Sequence, residues 1–350
     1  MRYSEEEVQA FILDTNGIHH LPRAAFAEIM RQRPYEEVRG KKLIFIDMKY
    51  WISFRIVLDN ETTSMAQEQK ILYKNIYHQL IQLTEKAEVA CVVSDSILTE
   101  IEKMPLEKKL KTASLMDKLK ITVILNGLNA CSLEFINIDR ISVGKQPIEN
   151  YHLSSVYEAN RFLTAMTFKK LEDEPNLLFN LLYDSISGMT VEEYLKETDG
   201  DFYDASEQFA QIMNDTKQID TSPHNYKGLL IQGLKSQIEP LKNILKHSPI
   251  GQIDPVKHLP LYRTHAPFLY LHSAIHAAIN IEISRKVHKN DFYDLSHSCI
   301  GVGYADYFFT EKKFHHLLKS KPIDCTSYYK CEIYSEPLEI MNLLKQLNNN

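Results

Sequence analysis

The sequence predicts an α/β protein built on a parallel sheet, and three observations carry that expectation. Two short apolar runs, Leu43-Ile44-Phe45-Ile46 and Val89-Ala90-Cys91-Val92-Val93, show no in/out alternation. Such runs suit strands buried on both faces. Helical patterns near 66–86, 96–120 and 291–302 separate the apolar runs, and alternating strands and helices imply a parallel sheet. Each strong run also ends abruptly at polar residues: Asp47 after the first, Ser94-Asp95-Ser96 after the second, Thr310 after a third, Tyr307-Phe308-Phe309.

In chain order, residues 1–40 read as a polar helical extension with a basic end, Arg31, Arg33 and Arg39. The first strand, the helix over 66–86 and the second strand open an α/β core over 41–104. The segment 105–287 breaks this rhythm and reads as a helical insertion. Its helical patterns fall at 160–171, 190–197, 205–214, 229–245 and 266–287, with turn-rich breaks at 221–225 and 247–251. The core resumes over 288–350 with a helix, the third strand and a weaker fourth run, Cys331-Glu332-Ile333-Tyr334.

Composition bounds the function. A chain of 350 residues with 44% hydrophobic and 25% charged side chains has the mix of a soluble globular protein with a core. Lys plus Arg is 40 and Asp plus Glu is 46, a net charge of −6. That excludes an indiscriminate basic nucleic-acid coat and leaves room for a local basic surface. Only 11 glycines disfavour glycine-rich cofactor loops. No apolar run reaches the roughly 18 residues of a membrane span. The start, Met1-Arg2-Tyr3-Ser4-Glu5-Glu6-Glu7, is acidic where a secretory signal is basic and then apolar. Five cysteines without C-x-x-C spacing argue against zinc sites and a disulfide framework. A cytoplasmic protein without a membrane partner is expected.

Parallel sheets bind ligands at the carboxyl ends of their strands. The acids there are Asp47, Glu100 on the helix after the second strand, Asp291 and Asp294 opening the late helix, and Glu311 after the third strand. Converging carboxylates are hard oxygen donors suited to Mg²⁺ or Mn²⁺, ions that activate water and neutralise phosphodiester charge. Each acid also has a plain structural reading. Asp47 can cap the next helix, Asp291 can answer a helix dipole, and Glu100, near Glu102, can be a solvated helix acid. Asp306 sits at the wrong end of its strand for a site and reads as a turn residue. A haloacid-dehalogenase-type phosphatase wants Asp-x-Asp, and Asp47-Met48-Lys49 does not supply it.

The stretch Asn290-Asp291-Phe292-Tyr293-Asp294-Leu295-Ser296-His297, followed by Gly303 through Lys312, resembles the C-terminal signature of PIN-like nucleases. In that family an Asp opens a helix and a strand ending in Thr follows about 16 residues later, the spacing of Asp294 and Thr310. Leu43 to Asp47 resembles the family's first strand with its Asp, and Val92 to Glu100 its second strand with a Glu-bearing helix. The resemblance covers about 43–104 and 288–335. It implies a PIN-like core and a metal-dependent endoribonuclease that hydrolyses phosphodiester bonds with a metal-activated water. Asp47, Glu100 and Asp294 are then the ligands of Mg²⁺ or Mn²⁺. Where many relatives carry Thr-x-Asp, this chain has Thr310-Glu311-Lys312. Glu311 or Asp291 is left to stand in for the fourth acid, and Lys312 to stabilise phosphate charge.

Other signals are open between two readings. Lys103, Lys108, Lys109, Lys111, Lys118 and Lys120 form either a nucleic-acid contact or a solvated helix face. Tyr50 and Trp51 either stack on a base or staple the sheet. His297 either touches the site or packs between helices. The insertion is expected to select the RNA substrate, or to carry a protein partner or a homo-oligomer contact. The competing readings are a PIN-like scaffold that binds RNA or protein without cutting, and a DNA nuclease.

Overall fold

The computed structural model describes residues 17–148, 152–159, 169, 174–198, 206–219, 225–244, 255–282 and 285–349. The elements follow in chain order: α1 (Arg23–Val38), β1 (Lys42–Ile46), α2 (Met48–Leu58), α3 (Gln67–Glu85), β2 (Val89–Ser94), α4 (Asp95–Glu102), α5 (Leu106–Lys118), β3 (Val123–Leu125), α6 (Gly127–Ser142), β4 (Leu153–Ser155), α7 (Asn176–Ser187), α8 (Val191–Glu197), α9 (Ser206–Ile219), α10 (Tyr226–Ile244), α11 (Pro255–His265), α12 (Pro267–Ile281), α13 (Asn290–Tyr304), β5 (Tyr307–Phe309), α14 (Lys312–Lys319), β6 (Glu332–Tyr334) and α15 (Pro337–Asn349).

One sheet runs in the order β4-β3-β2-β1-β5-β6. All pairs are parallel except β3 with β4. The four runs expected as strands therefore lie side by side as β2-β1-β5-β6, although some two hundred residues intervene between β2 and β5. Phe45 pairs with Val92 on one side and Phe308 on the other. The pleat sends neighbouring residues to opposite faces. Phe308 lies 5.4 Å from the Phe45 ring, and Phe309 lies 6.2 Å from the Tyr50 ring on the other face. Helices cover both faces, as a continuous apolar parallel strand requires.

The segment 105–287, expected to be mostly helical, is mostly helix among the described residues and also carries β3 and β4, which extend the main sheet at the β2 edge. Two expectations are corrected. The helix expected over 96–120 is two helices, α4 and α5, interrupted at Pro105, which has no N–H to give and cannot continue a helix. The helix expected over 266–287 ends at Ile281. The helix expected over 190–197 is present as α8, with a capping box between Thr190 and Glu193. The pattern at 160–171, the breaks at 221–225 and 247–251, and residues 1–16 lie wholly or largely outside the described residues.

Helix α13 lies very close to the sheet. A Cβ on Gly301 would stand 2.8 Å from Phe308 Cδ2 and 3.0 Å from Phe45 Cδ1. Only glycine permits that approach, and it holds α13 over β1 and β5. No disulfide forms among the five cysteines. Among the described residues, no helix is long and apolar enough to cross a membrane.

Candidate metal centre

β1 and β5 are neighbours whose chain connections lead to opposite halves of the sheet. Such a switch point leaves a crevice outside the strand carboxyl ends. Asp47 follows β1 there, 2% exposed. Its amide donates to Phe309 O at 3.0 Å, tying it to β5. Thr310, the residue after β5, donates its hydroxyl to Asp47 Oδ2 at 3.0 Å. Asp47 occupies the N-cap position of α2, yet its side chain makes no capping bond. The plain capping reading of this carboxylate therefore fails, and its oxygens face the crevice partners instead.

Two further helices bring the remaining groups. Asp294 and His297 lie one turn apart on α13, on one face. One ligand atom each from Asp47, Asp294 and His297 lie within 4.8 Å of one another. His297 is fully buried; its Nδ1 lies 3.3 Å from Asp47 Oδ1 and its Nε2 4.0 Å from Glu100 Oε2. Helix α4 carries Glu100 and is capped by Ser94, whose Oγ accepts from the Ile97 amide at 3.2 Å. Ser296 on α13 donates to Ser96 Oγ at 3.2 Å, pinning α4 beside α13.

The electrostatics report crowded negative charge. Burial pushes the Asp294 carboxyl up to about 9, and Asp47, Glu311, Glu100 and Asp291 add to the rise. Burial raises Glu100 as well; His297 and Lys103 oppose this and Asp47 reinforces it. Glu311 is raised by burial and by Asp47, against Lys313 and Lys49. Like carboxylates held together in low dielectric are costly unless protons or a cation neutralise them. The buried His297 Nε2 has no hydrogen-bond partner among the described residues. An unmet imidazole nitrogen facing a carboxylate, beside two more acids, fits a divalent cation held by oxygen and nitrogen donors.

Asp47 and Asp294 therefore meet at His297, which Glu100 approaches from its other side at 4.0 Å, while Glu311 is linked to Asp47 and Asp294 through its charge. Asp291 does not join them as a free carboxylate. It is 1% exposed, accepts the His288 amide at 2.8 Å, pairs with Arg285 Nη2 at 3.0 Å, and takes Lys313 as a further partner. Lys312 turns outward: it is 72% exposed and pairs with Glu336 at 2.7 Å. Its neighbour Lys313 and Lys49 are the lysines whose charge reaches Glu311. Asp306 accepts the Leu43 amide at 2.8 Å and Lys42 Nζ at 2.9 Å, the turn role expected of it.

The aromatic and basic signals also resolve. Tyr50 and Trp51 are both fully buried, so neither offers a face to a base. Trp51 Nε1 donates to Ile46 O and Tyr50 OH to Ser335 O, each at 2.9 Å. In the lysine run, Lys109 is buried and Lys111 pairs with Glu107 at 2.9 Å and Asp59 at 3.4 Å. Lys103 instead leans over the Tyr293 ring, 4.0 Å from its centroid and one residue from Asp294. Of the groups left open by sequence reasoning, His297 is the one that reaches the acids. Its place three residues after Asp294, on the same helix face, is the signal that finds it. No family model matches this chain, and no curated protein and no solved structure matches it.

Proposed function

We propose that this protein is a PIN-like, metal-dependent endoribonuclease whose cation is held by Asp47, Asp294 and Glu100. One observation carries the reading: carboxylates from β1, α4 and α13, far apart in the chain, meet beside a buried imidazole at the switch point of a parallel sheet. When bound, a divalent cation there supplies charge neutralisation for a phosphodiester and lowers the pKa of water. The chain's own residues do the rest. Thr310 fixes the orientation of Asp47 through its hydroxyl. Asp294, whose carboxyl is pushed up by burial and neighbouring acids, would have to ionise to hold the cation. Lys49 and Lys313, whose charges reach Glu311, set a positive rim for phosphate oxygens. Preference for RNA over DNA rests on the resemblance alone.

The test is cleavage of single-stranded RNA and DNA by the full chain with Mg²⁺ or Mn²⁺. Wild type should cut RNA, and EDTA should silence it. Asp47→Asn and Asp294→Asn should each abolish cleavage while circular dichroism stays unchanged. Cleavage by Asp47→Asn in EDTA would refute the assignment. Absence of cleavage on RNA and DNA, with metal bound, would favour the scaffold that binds without cutting.

A further inference from the structure

Resting on the ribonuclease reading above, we infer that one stripe of α12 is a track on which an unpaired base of the single-stranded substrate stacks beside the metal centre. The stripe is Phe268, His272 and His276, with Asn280 at its end.

This stripe is the open side of an otherwise enclosed helix. Every other residue from Leu269 to Ile279 is buried, and α12 packs against α10 and α13. Ser273 marks the α10 side, where Gln237 donates to its hydroxyl at 2.6 Å. Phe268, His272, His276 and Asn280 recur every fourth residue and so share one face. All four are partly exposed. A stripe that only packs against a core is mostly aliphatic, whereas this one carries two imidazoles and an amide.

The rings run in sequence toward the segment that carries Asp294. Phe268 and His272 lie 6.1 Å apart at 29°, and His272 and His276 lie 4.9 Å apart at 30°. Phe209 of α9 meets His276 at right angles, 5.2 Å away, and lies 5.3 Å from Phe292. Phe292 precedes Asp294 by two residues on α13. At the other end, Phe268 reaches the carboxyl ends of β2 and β3. A Cβ on Gly127, which opens α6 just after β3, would stand 3.3 Å from the Phe268 ring and 3.5 Å from Asp95 Oδ1. Asp95 directly follows β2. The stripe therefore spans the sheet edge that also carries Asp47.

Its side chains suit a base and not a phosphate. Burial holds both imidazoles neutral at pH 7, with His272 pushed down to about 3 and His276 to about 4. Neutral rings offer π faces on which any base can stack. Neither imidazole makes a hydrogen bond among the described residues. The buried Asn280 Oδ1 has none either. It is an acceptor for the exocyclic amino group that adenine, cytosine and guanine carry. The imidazoles stack instead of pointing at a common centre, and among the described residues they join no three-ligand group. Beside Phe292, Lys103 Nζ stands 4.0 Å from the Tyr293 ring centroid, a cation placed for the phosphate next to a stacked base.

The experiment is fluorescence anisotropy with the full chain in EDTA, where cleavage is silenced. The probes are a short single-stranded RNA, the same strand with abasic positions and intact phosphates, and its duplex, with adenosine monophosphate as competitor. The intact single strand should bind about tenfold tighter than the abasic strand or the duplex. His276→Ala should weaken binding of the intact strand roughly tenfold and leave the abasic strand unchanged, and His276→Phe should restore it. If His276→Ala fails to fold, the wild-type comparison of intact and abasic strands decides, since it needs no substitution. Equal binding of those two strands overturns the track, as does an undiminished preference in folded His276→Ala. Monophosphate binding as tight as the strand overturns it in favour of a free-nucleotide pocket. Cleavage with Mn²⁺ is read separately. Base-dependent binding without cleavage upholds the track and sinks the nuclease reading, whereas cleavage without base dependence sinks the track alone.

Discussion

Asp291 and Asp294 stand one turn apart on α13 and occupy opposite electrostatic environments. Burial works against the Asp291 charge, but the His288 amide, Lys313 and Arg285 outweigh it and hold that carboxyl below its ordinary range. At Asp294, burial with four neighbouring acids pushes the carboxyl up to about 9. Asp291 lies in the first turn of the helix, where an acid is favoured by the dipole, and Asp294 follows it by one turn. What separates them is the partner set supplied by other segments. Asp291 is already neutralised by the protein, whereas Asp294 is left to a proton or a cation.

Metal binding should therefore release a proton from Asp294. At pH 7 the metal-free carboxyl is protonated, and a ligand must be ionised. Calorimetry of Mn²⁺ binding in two buffers of different ionisation enthalpy should report roughly one proton released at pH 7, falling away as pH passes about 9. Asp294→Asn should abolish the release. The same shift sets a sign for metal-free stability. The unfolded chain ionises near 3.8 and the folded one near 9, so between those values the folded state binds more protons. This group's contribution falls as pH rises through the window. A metal-free melting temperature as flat from pH 5 to 9 in wild type as in Asp294→Asn would contradict the assignment.

Asp291→Ala and Lys312→Ala should separate structure from chemistry. Removing Asp291 takes from Arg285, itself 10% exposed, the buried carboxylate it pairs with at 3.0 Å. Breaking a buried pair from one side costs about 3 kcal/mol, read as a lower urea midpoint. Asp291 stability is present above pH 3.8 and lost as pH falls through its depressed folded value, so the wild type should lose this advantage in acid. Metal affinity in the folded variant should change little. Lys312→Ala removes an exposed pair with Glu336, and both stability and cleavage should stay near wild type. A large loss of cleavage in Lys312→Ala would restore it to the site.

Much of the site was legible because buried strands and their terminal acids leave a strong local mark. Asp47 ends an apolar run where an unpaired charge is costly, and the structure gives its carboxylate no capping bond. Other features needed the tertiary fold. β3 spans three residues, and β4 is Leu153-Ser154-Ser155. Such segments are too short for periodicity, and β4 is polar. Lys312 and Lys313 differ by one helical step of about 100°. Which of them faces the acids depends on the phase set by buried Phe314 and Leu318. His297 shares the face of Asp294, but its role depends on Asp47, 250 residues away.

Gly301→Ala tests whether the close seat of α13 on the sheet sets the site. Alanine gains about 1 kcal/mol over glycine inside a helix. Here its Cβ would sit 2.8 Å from Phe308 and 3.0 Å from Phe45. Both rings are fully buried on adjacent strands and have no room to withdraw. Overpacking of this kind costs about 1–3 kcal/mol. Because the contact is with rigid rings and not a flexible tip, the overlap should sit at the upper end of that range and win, for a net loss of up to about 2 kcal/mol. The helix must lift from the sheet, and it carries Asp294 and His297 with it. Metal affinity should fall in the folded variant. Leu344→Ala is the control: Leu344 is fully buried in α15, away from the crevice, and its loss costs about 2–5 kcal/mol without moving α13. That control should keep wild-type metal affinity under conditions where it is folded. Equal affinities in Gly301→Ala, Leu344→Ala and wild type would show that the seat of α13 does not control the geometry of the carboxylates.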